Sequence, residues 1–578
     1  MKLFVDHIKE PLAEIGTISF IYGIYPEVWK TSIVKPLYKG GQKSKTDPAS
    51  YRPVSLLCAA GRIIEGIMAG RMTRFAEDRK LLPSQMHGYR PGLGTTTALI
   101  ELQSDILRKN GEGKITGMSL LDVSAGFDTV PHSYLLRKLE ALGYSQRTLK
   151  WFISYLENRW AMVQIGGERS RRRRIKKGIP QGGPMSPALW REYTIDLTGS
   201  LTEETTKWRR EIWREQKDRK EEEWGLIDKR NSIVTRRGMK KWEMGAADAE
   251  ETHDLKKHIG KEIKINKGTD DEHPIMGRLE QEKGFTLYVD DCSTRAYGKE
   301  IETVRKRQKD ATTAVFQTMR ESRLCINADK TQIMIIMSQQ RRTGTELKNK
   351  EYILELEGNK QKEIKDGEIL GVTISNDLTW TRNWSRTNTR ISKKLSKLIG
   401  VQNIMGIKNR KKVVESTCVS LITYGIEVTS GGGKTLIKSM DNTLSKLARY
   451  VTNQKKRDYR KEAAFRRLKW LTVPQIVYWQ SMKTLLKFKK DKKPQNITDR
   501  ILGGDGKPRL ITRQQLETMP LTSRQGWEVR VRRWWEEMDE ELKSDEVDIR
   551  KAKWGRKLKE YARNNYPKDG EKILYGGL

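Results

Sequence analysis

Phe285-Thr286-Leu287-Tyr288-Val289-Asp290-Asp291 runs a short strand-forming stretch into two adjacent carboxylates. Gly117-Met118-Ser119-Leu120-Leu121-Asp122-Val123 has the same construction, a buried-strand pattern ending at Asp122. Carboxylates rarely sit at the end of a buried strand unless they are paired or hold a metal. On adjacent strands the two clusters would form an all-oxygen site suited to two Mg²⁺ ions bridged by substrate phosphates. Two metals about 3.5–4 Å apart activate an attacking hydroxyl and stabilise a leaving pyrophosphate. The plainer reading of either cluster alone is a strand-end acid capping a neighbouring helix.

Between the clusters lies Gly178-Ile179-Pro180-Gln181-Gly182-Gly183-Pro184-Met185-Ser186-Pro187. Its glycines let backbone approach a base pair closely, and Gln181 offers both a donor and an acceptor. By itself the stretch reads as a tight turn before a helix that starts near Pro187.

Outward from these three pieces, the spacing predicts a helix within residues 1–30, half-buried through Ile15, Ile18 and Ile21 and interrupted by Pro26. A strand follows at Ser32–Tyr38, then a helix over 61–77, with Ile63, Ile64, Ile67, Met68 and Met72 at helical spacing. Two helices flank Gly143, and Trp160–Gly166 with Arg173–Lys177 read as a strand pair turned at Gly166-Gly167. Residues 200–283 are dense in charges of both signs and read as an inserted charged helix with loops. Beyond 380 the pattern is helical: Ile391, Leu395 and Leu398 form one stripe while Lys393, Lys394 and Lys397 occupy other faces.

Lys and Arg number 112 against 74 Asp and Glu, a net charge of +38 in 578 residues. Such an excess self-repels and calls for an acidic partner, nucleic acid before an anionic membrane. No apolar run is long enough to span a bilayer, and the start at Met1 does not read as a signal peptide. Cys58, Cys292, Cys325 and Cys418 lie far apart without a CxxC pair, which points to a reducing compartment and away from zinc fingers or a disulfide framework. His253, His258 and His273 sit in the charged insertion without cysteine partners and read as solvated.

The order of the pieces resembles a known family. Asp122-Val123-Ser124-Ala125-Gly126-Phe127-Asp128, then Pro180-Gln181-Gly182, then Tyr288-Val289-Asp290-Asp291 is similar to motifs A, B and C of reverse transcriptases. Tyr51-Arg52-Pro53-Val54-Ser55-Leu56, Gly88-Tyr89-Arg90-Pro91-Gly92, Asn327-Ala328-Asp329-Lys330-Thr331 (motif D) and Leu370-Gly371-Val372 with Leu378-Thr379-Trp380 (primer grip) look like the non-LTR, LINE-type branch. The resemblance covers about residues 25–430 well and the remainder loosely. Two positions depart from it: Ala125-Gly126 stands where Lys-Ala is common, and Gly183 stands where Ser is common.

The resemblance implies an α+β right-hand polymerase: fingers, a palm with an antiparallel sheet, and an α-helical thumb. The expected division is an N-terminal helical extension at 1–30, fingers and palm at 31–374 including the insertion, a thumb at 375–455 and a basic helical region at 456–578. The implied activity is RNA-directed DNA synthesis. Asp122, Asp290 and Asp291 would bind two Mg²⁺ ions, with Mn²⁺ as a substitute, and Lys330 would donate a proton to pyrophosphate. Lys39, Arg52, Val123, Gln181 and Gly182 would meet the incoming nucleotide, and Phe127 would be the steric gate against a ribose 2′-hydroxyl. Arg172, Arg173 and Arg174 would track the template, and Lys393, Lys394 and Lys397 the duplex. The implied partners are an RNA template, a DNA primer or nicked target DNA, deoxynucleoside triphosphates and a separate endonuclease, with no membrane, in nucleus and cytoplasm. The rival readings are a group II intron-like reverse transcriptase or maturase, and a decayed retroelement copy that binds nucleic acid without catalysis.

Overall fold

The computed structural model describes residues 5–40, 44–124, 126–198, 284–326, 330–337, 352–356, 359–491, 495–502, 511–519, 523, 525–538, 540–543, 552–566 and 570–575. The charged insertion at 200–283, its three histidines and Asn327-Ala328-Asp329 therefore lie outside the described residues. In chain order the elements used below begin with helix α1 (Val5–Tyr22), strands β1 (Thr31–Tyr38) and β2 (Tyr51–Leu56), and helices α2 (Ala59–Asp78) and α3 (Thr95–Gly111). Strand β3 (Ile115–Ser124), the one-turn helix α4 (Gly126–Thr129), helices α5 (His132–Ala141) and α6 (Gln146–Leu156), strands β4 (Arg159–Ile165), β5 (Glu168–Arg169) and β6 (Arg173–Ile175), and helix α7 (Ser186–Tyr193) follow. Then come β7 (Phe285–Tyr288), β8 (Asp291–Gly298), α8 (Ile301–Glu321), β9 (Cys325–Ile326), β10 (Gln332–Ile336), β11 (Ile353–Leu356), β12 (Asn359–Lys362), β13 (Asp366–Ile369), β14 (Val372–Ser375) and α9 (Thr381–Ile399).

The chain divides into two compact units, Met1–Tyr89 with Val123–Gln281 and Ala314–Asn327, and Arg90–Asp122 with Glu282–Thr313 and Ala328–Leu578. In the first unit β1 pairs antiparallel with β2 and parallel with β4, and β4 carries β5 and β6 on its other edge. Helix α1 forms as its pattern predicts and stops at Tyr22, before Pro26. Its buried face is the reverse of the expected one: Ile15, Ile18 and Ile21 are 43%, 52% and 55% exposed, whereas Gly16, Ser19 and Gly23 are buried. The small residues win because the neighbours come too close for larger ones. A Cβ on Gly16 would stand 2.7 Å from the Ile64 side chain, and Ser19 accepts the Trp151 indole N–H at 2.9 Å. Helix α2 likewise buries Ile64, Met68 and Met72 but leaves Ile63 and Ile67 outside.

In the second unit four antiparallel strands run in the order β10-β3-β8-β7. Met118, Phe285, Leu287, Cys292 and Met334 are all buried, which explains the near-continuous apolar reading of these strands. Strand β3 extends two residues past Asp122, and Val123 and Ser124 pair with β9 inside the first unit. Helix α9 buries Trp384 and Ile391, packs Leu395 and Leu398 on the core, and ends at Gly400. That core continues through a helical C-terminal region with Trp527 and Trp534 fully buried. Among the described residues no helix is long and apolar enough to cross a membrane.

Candidate active site

The second unit brings the two acidic clusters onto neighbouring strands. Strands β3 and β8 run antiparallel in unbroken register from Ile115 opposite Gly298 to Asp122 opposite Asp291. Strands β7 and β8 form a hairpin in which Tyr288 faces Asp291, leaving Val289-Asp290 as its two-residue tip. Val289 has φ = +61°, a region where a β-branched residue is an outlier. Holding it there costs on the order of 1–3 kcal/mol, the sort of strain that persists where surrounding structure enforces it. Asp290 and Asp291 are both exposed at this tip. Burial, then Tyr424 and Asp291, raise the Tyr288 hydroxyl above the ordinary phenol pKa.

Beneath the tip the hairpin is fastened by a buried charge. Arg295 on β8 places Nε 3.2 Å from Asp105 of α3 and Nη1 2.8 Å from the Thr286 hydroxyl, and its Nη2 donates to the Phe285 carbonyl. The Tyr297 hydroxyl also donates to Asp105. Burial opposes ionisation of Asp105, yet Arg295, Tyr297 and Arg108 hold its carboxyl below the usual range. A second hairpin, β13–β14, turns on Leu370 (φ = +52°) and Gly371 (φ = +73°), the positive pair that a two-residue turn demands. Tyr424 donates to the Leu370 carbonyl at 2.6 Å.

The first unit assembles the residues between the clusters. Gly178 has φ = +88°, and its N–H reaches the Val130 carbonyl at 2.7 Å while the Ile179 N–H reaches the Phe127 carbonyl at 2.8 Å. A Cβ on Gly178 would meet the Asp128 carbonyl at 2.8 Å, so glycine is required twice over. Gln181 donates its side-chain amide to Asp128 at 2.9 Å, and its backbone carbonyl accepts the Ser55 N–H of β2 at 2.7 Å. Burial raises the Asp128 carboxyl above its usual pKa, while the Gln181 hydrogen bond and the Lys39 charge pull it back. Buried His132 contacts the Gly178 carbonyl through Nε2 at 2.8 Å. Burial lowers its pKa to about 4, so the ring is neutral and Nε2 carries the donated proton.

Gly126 and Gly183, which depart from the family pattern, each have a physical cause here, whereas Ala125 lies outside the described residues. A Cβ on Gly126 would stand 2.3 Å from Cη2 of Trp190, and one on Gly183 would stand 2.9 Å from Oε2 of Glu65. Glu65 is buried, accepts from the Tyr25 and Tyr155 hydroxyls, and takes a further hydrogen bond from the backbone of Met185 in the turn itself. Phe127 stacks on Trp190 with ring centroids 4.9 Å apart and planes 20° apart.

The remaining candidates are placed as follows. Lys39 and Arg52 lie exposed at the same end of the β1–β2 pair, where Lys39 bonds the Ala49 carbonyl and Arg52 stands opposite Leu37. Val123 is buried, Gly182 has φ = +109°, and Lys330 is exposed just before β10. Arg172 lies over the Trp160 ring at 4.6 Å, Arg173 pairs opposite Ala161, and Arg174 donates to Asn158 at 2.9 Å. Lys393, Lys394 and Lys397 are exposed on α9, and Lys394 reaches the Thr417 carbonyl at 3.1 Å. Sequence reasoning missed His132, Trp190, Arg295 and Glu65, because a lone buried histidine, tryptophan or charge has no periodic signal.

Residues 42–212 match the family model described as reverse transcriptase (RNA-dependent DNA polymerase). Over 193 residues the chain is 30% identical to a probable RNA-directed DNA polymerase from transposon BS of Drosophila melanogaster, covering 32% of this chain and 21% of that protein. It is 30% identical over 197 residues to the RNA-directed DNA polymerase from mobile element jockey of the same fly, covering 34% and 21%. It is 29% identical over 185 residues to a retrovirus-related Pol polyprotein from type-1 retrotransposable element R2 of Popillia japonica, covering 32% and 25%. The match spans about a fifth of the length of the first two relatives. A telomerase structure from Candida albicans, at 10% identity over 80% of this chain and 59% of the telomerase, has a TM-score of 0.33, too slight a likeness to bear on the fold.

Residues 42–212 resemble a reverse transcriptase domain, and the mixed helices and antiparallel sheets fit the right-hand polymerase architecture. The relatives that this stretch resembles are named for transposons and retrotransposable elements, which does not favour the intron-type or non-catalytic readings. The reverse transcriptase family that residues 42–212 match depends in general on divalent metal.

Proposed function

We propose that this protein is an RNA-directed DNA polymerase of a non-LTR retrotransposon that extends a primer 3′-hydroxyl along an RNA template with deoxynucleoside triphosphates. The observation that carries the reading is the register of β3 and β8, which sets Asp122 opposite Asp291 beside a strained two-residue tip bearing Asp290. Asp122, Asp290 and Asp291 offer only hard oxygen donors, a set that fits two Mg²⁺ ions, or Mn²⁺ in their place. Bound there, such ions supply the charge that activates a hydroxyl and neutralises a leaving pyrophosphate.

The chain's own residues do the rest. Lys39 and Arg52 bind the triphosphate, Arg through its planar fork. Val123, Gln181 and Gly182 meet the nascent base pair, and the Asp128 hydrogen bond fixes which way the Gln181 amide points. Phe127 excludes a ribose 2′-hydroxyl, and Lys330 gives a proton to pyrophosphate. Arg172, Arg173 and Arg174 follow template phosphates, and the α9 lysines follow the duplex. An RNA template, a DNA primer or nicked target DNA and a separate endonuclease are the partners, in nucleus and cytoplasm. The domains assigned to these tasks are fingers and palm at 31–374, a thumb at 375–455 and flanking helical regions at 1–30 and 456–578.

Primer extension on poly(A) RNA primed with oligo(dT), with Mg²⁺ or Mn²⁺, tests the proposal. The parent extends the primer. Asp290→Asn keeps the side-chain shape but removes a metal-holding charge, so extension is abolished while RNA affinity is retained. An Asp290→Asn variant that extends like the parent overturns the metal assignment.

A further inference from the structure

A steric gate discriminates only if its ring cannot retreat. Phe127 sits on α4, a helix of four residues that has no stiffness of its own, and the ring is only half-buried. What stands behind it is Trp190 of α7, itself 1% exposed, with its ring 4.9 Å from that of Phe127 and nearly parallel. The indole lies against Gly126, where a Cβ would stand only 2.3 Å from its Cη2. Tyr193, one turn further along α7, packs on Trp190 from another side at 6.1 Å. The backbone of Phe127 is meanwhile fixed through its carbonyl to the Ile179 N–H at 2.8 Å, so the side-chain torsion is the freedom left to control.

We infer that Trp190 is the positioning residue that sets how closely Phe127 approaches the nucleotide sugar, and that Gly126 and Trp190 form a size-matched pair that makes this possible. The inference rests on the gate reading of Phe127 and adds the part that holds the gate. It also gives the glycine of motif A a role: it is the space the backing ring occupies.

The test is steady-state incorporation of deoxynucleotides against ribonucleotides by the full chain, with unfolding checked by circular dichroism. Trp190→Leu removes the flat wall, so the preference for deoxynucleotides falls by several-fold to about tenfold while affinity for template–primer is unchanged. Trp190→Phe keeps an aromatic face and retains most of the preference. Gly126→Ala alone drives a methyl into Cη2 and lowers kcat/KM for deoxynucleotides. Adding Trp190→Phe, which lacks the outer indole ring, restores it. Phe127→Ala is the control for the underlying reading. If an active Phe127→Ala enzyme keeps the parent's sugar preference, the gate reading fails and the inference with it. If Phe127→Ala loses the preference but Trp190→Leu keeps it, or if Gly126→Ala with Trp190→Phe is no better than Gly126→Ala, the inference alone is overturned.

Discussion

Replacing Arg295 by Met should be among the most damaging single changes in the second unit, and the damage should be largely reversible by a second change. The Arg295 side chain is fully buried, and that of Asp105 is 7% exposed. Burial works against the guanidinium charge, yet Tyr297 and Asp105 hold its pKa above the ordinary arginine value. Removing one member of a buried pair typically costs about 3–5 kcal/mol, because the other charge is left uncompensated. Arg108 still reaches Asp105 at 2.7 Å from a half-exposed position, which places Arg295→Met at the lower end, about 3 kcal/mol. Taking out both charges, with Asp105→Asn and Arg295→Met together, leaves no orphan and should recover about 2 kcal/mol of that.

The assay is a double-mutant cycle by denaturant unfolding, with hydrogen exchange reporting locally on β7 and β8. Asp105 also sets the pH dependence. Its folded pKa is depressed, so its contribution is present above the ordinary carboxylate pKa and fades as pH falls below it. The parent should therefore lose more stability than the double variant as pH falls from 5 toward about 3. Arg295→Met within about 0.5 kcal/mol of the parent, or a double variant equal to the sum of the singles, would refute the reasoning. Because Arg295 also holds Thr286 and the Phe285 carbonyl on β7, primer extension should fall with Arg295→Met even at saturating template.

Two further outcomes are expected. His132 is neutral in the fold at a pKa of about 4, so protonation penalises folding as pH falls from about 6.5 toward 4; at pH 5 the loss is about 2 kcal/mol, and it should vanish in His132→Gln, as unfolding at pH 7 and pH 5 will show. Neutralising Lys393, Lys394 and Lys397 together should weaken duplex binding alike on all sequences and flatten the slope of log affinity on log salt by up to about 0.9 for each phosphate these lysines neutralise; an unchanged slope would mean they only solvate the helix.

How far the sequence carried the reading depended on the kind of signal. The strands at Gly117–Asp122 and Phe285–Tyr288 were legible because both faces are buried and the carboxylates break the apolar run. Helix α9 was legible for the opposite reason, one narrow stripe among lysines. Helix α1 misled, since three isoleucines at helical spacing outweigh a glycine and a serine in any reading based on hydrophobicity. Close approach reverses that order, because Gly16 and Ser19 permit contacts that isoleucine would block. The register of Asp122 against Asp291 could not be read at all: the spacing along the chain says nothing about pairing across 168 intervening residues, and only the β3–β8 ladder supplies it.

The two hairpins of the second unit show how such a site is kept in shape. Val289 and Leu370 both hold positive φ, each at a cost of order 1–3 kcal/mol that a free hairpin would relax by changing its turn. Neither is free. Leu370 is 8% exposed in the core that α3, strands β3 and β10 and the helices beyond residue 380 share, and its carbonyl is taken by Tyr424. The Val289 tip is flanked by Tyr288, packed against that same core, and by β8, whose Arg295 is locked to α3. Tyr424 thus holds the Leu370 turn directly, and one buried core backs both hairpins through Leu370 and Tyr288. A loosened core is therefore expected to reach the tip through Tyr288 and β8 without any change in the aspartates themselves, and Arg295, which is not acidic, is expected to help hold Asp290 in place.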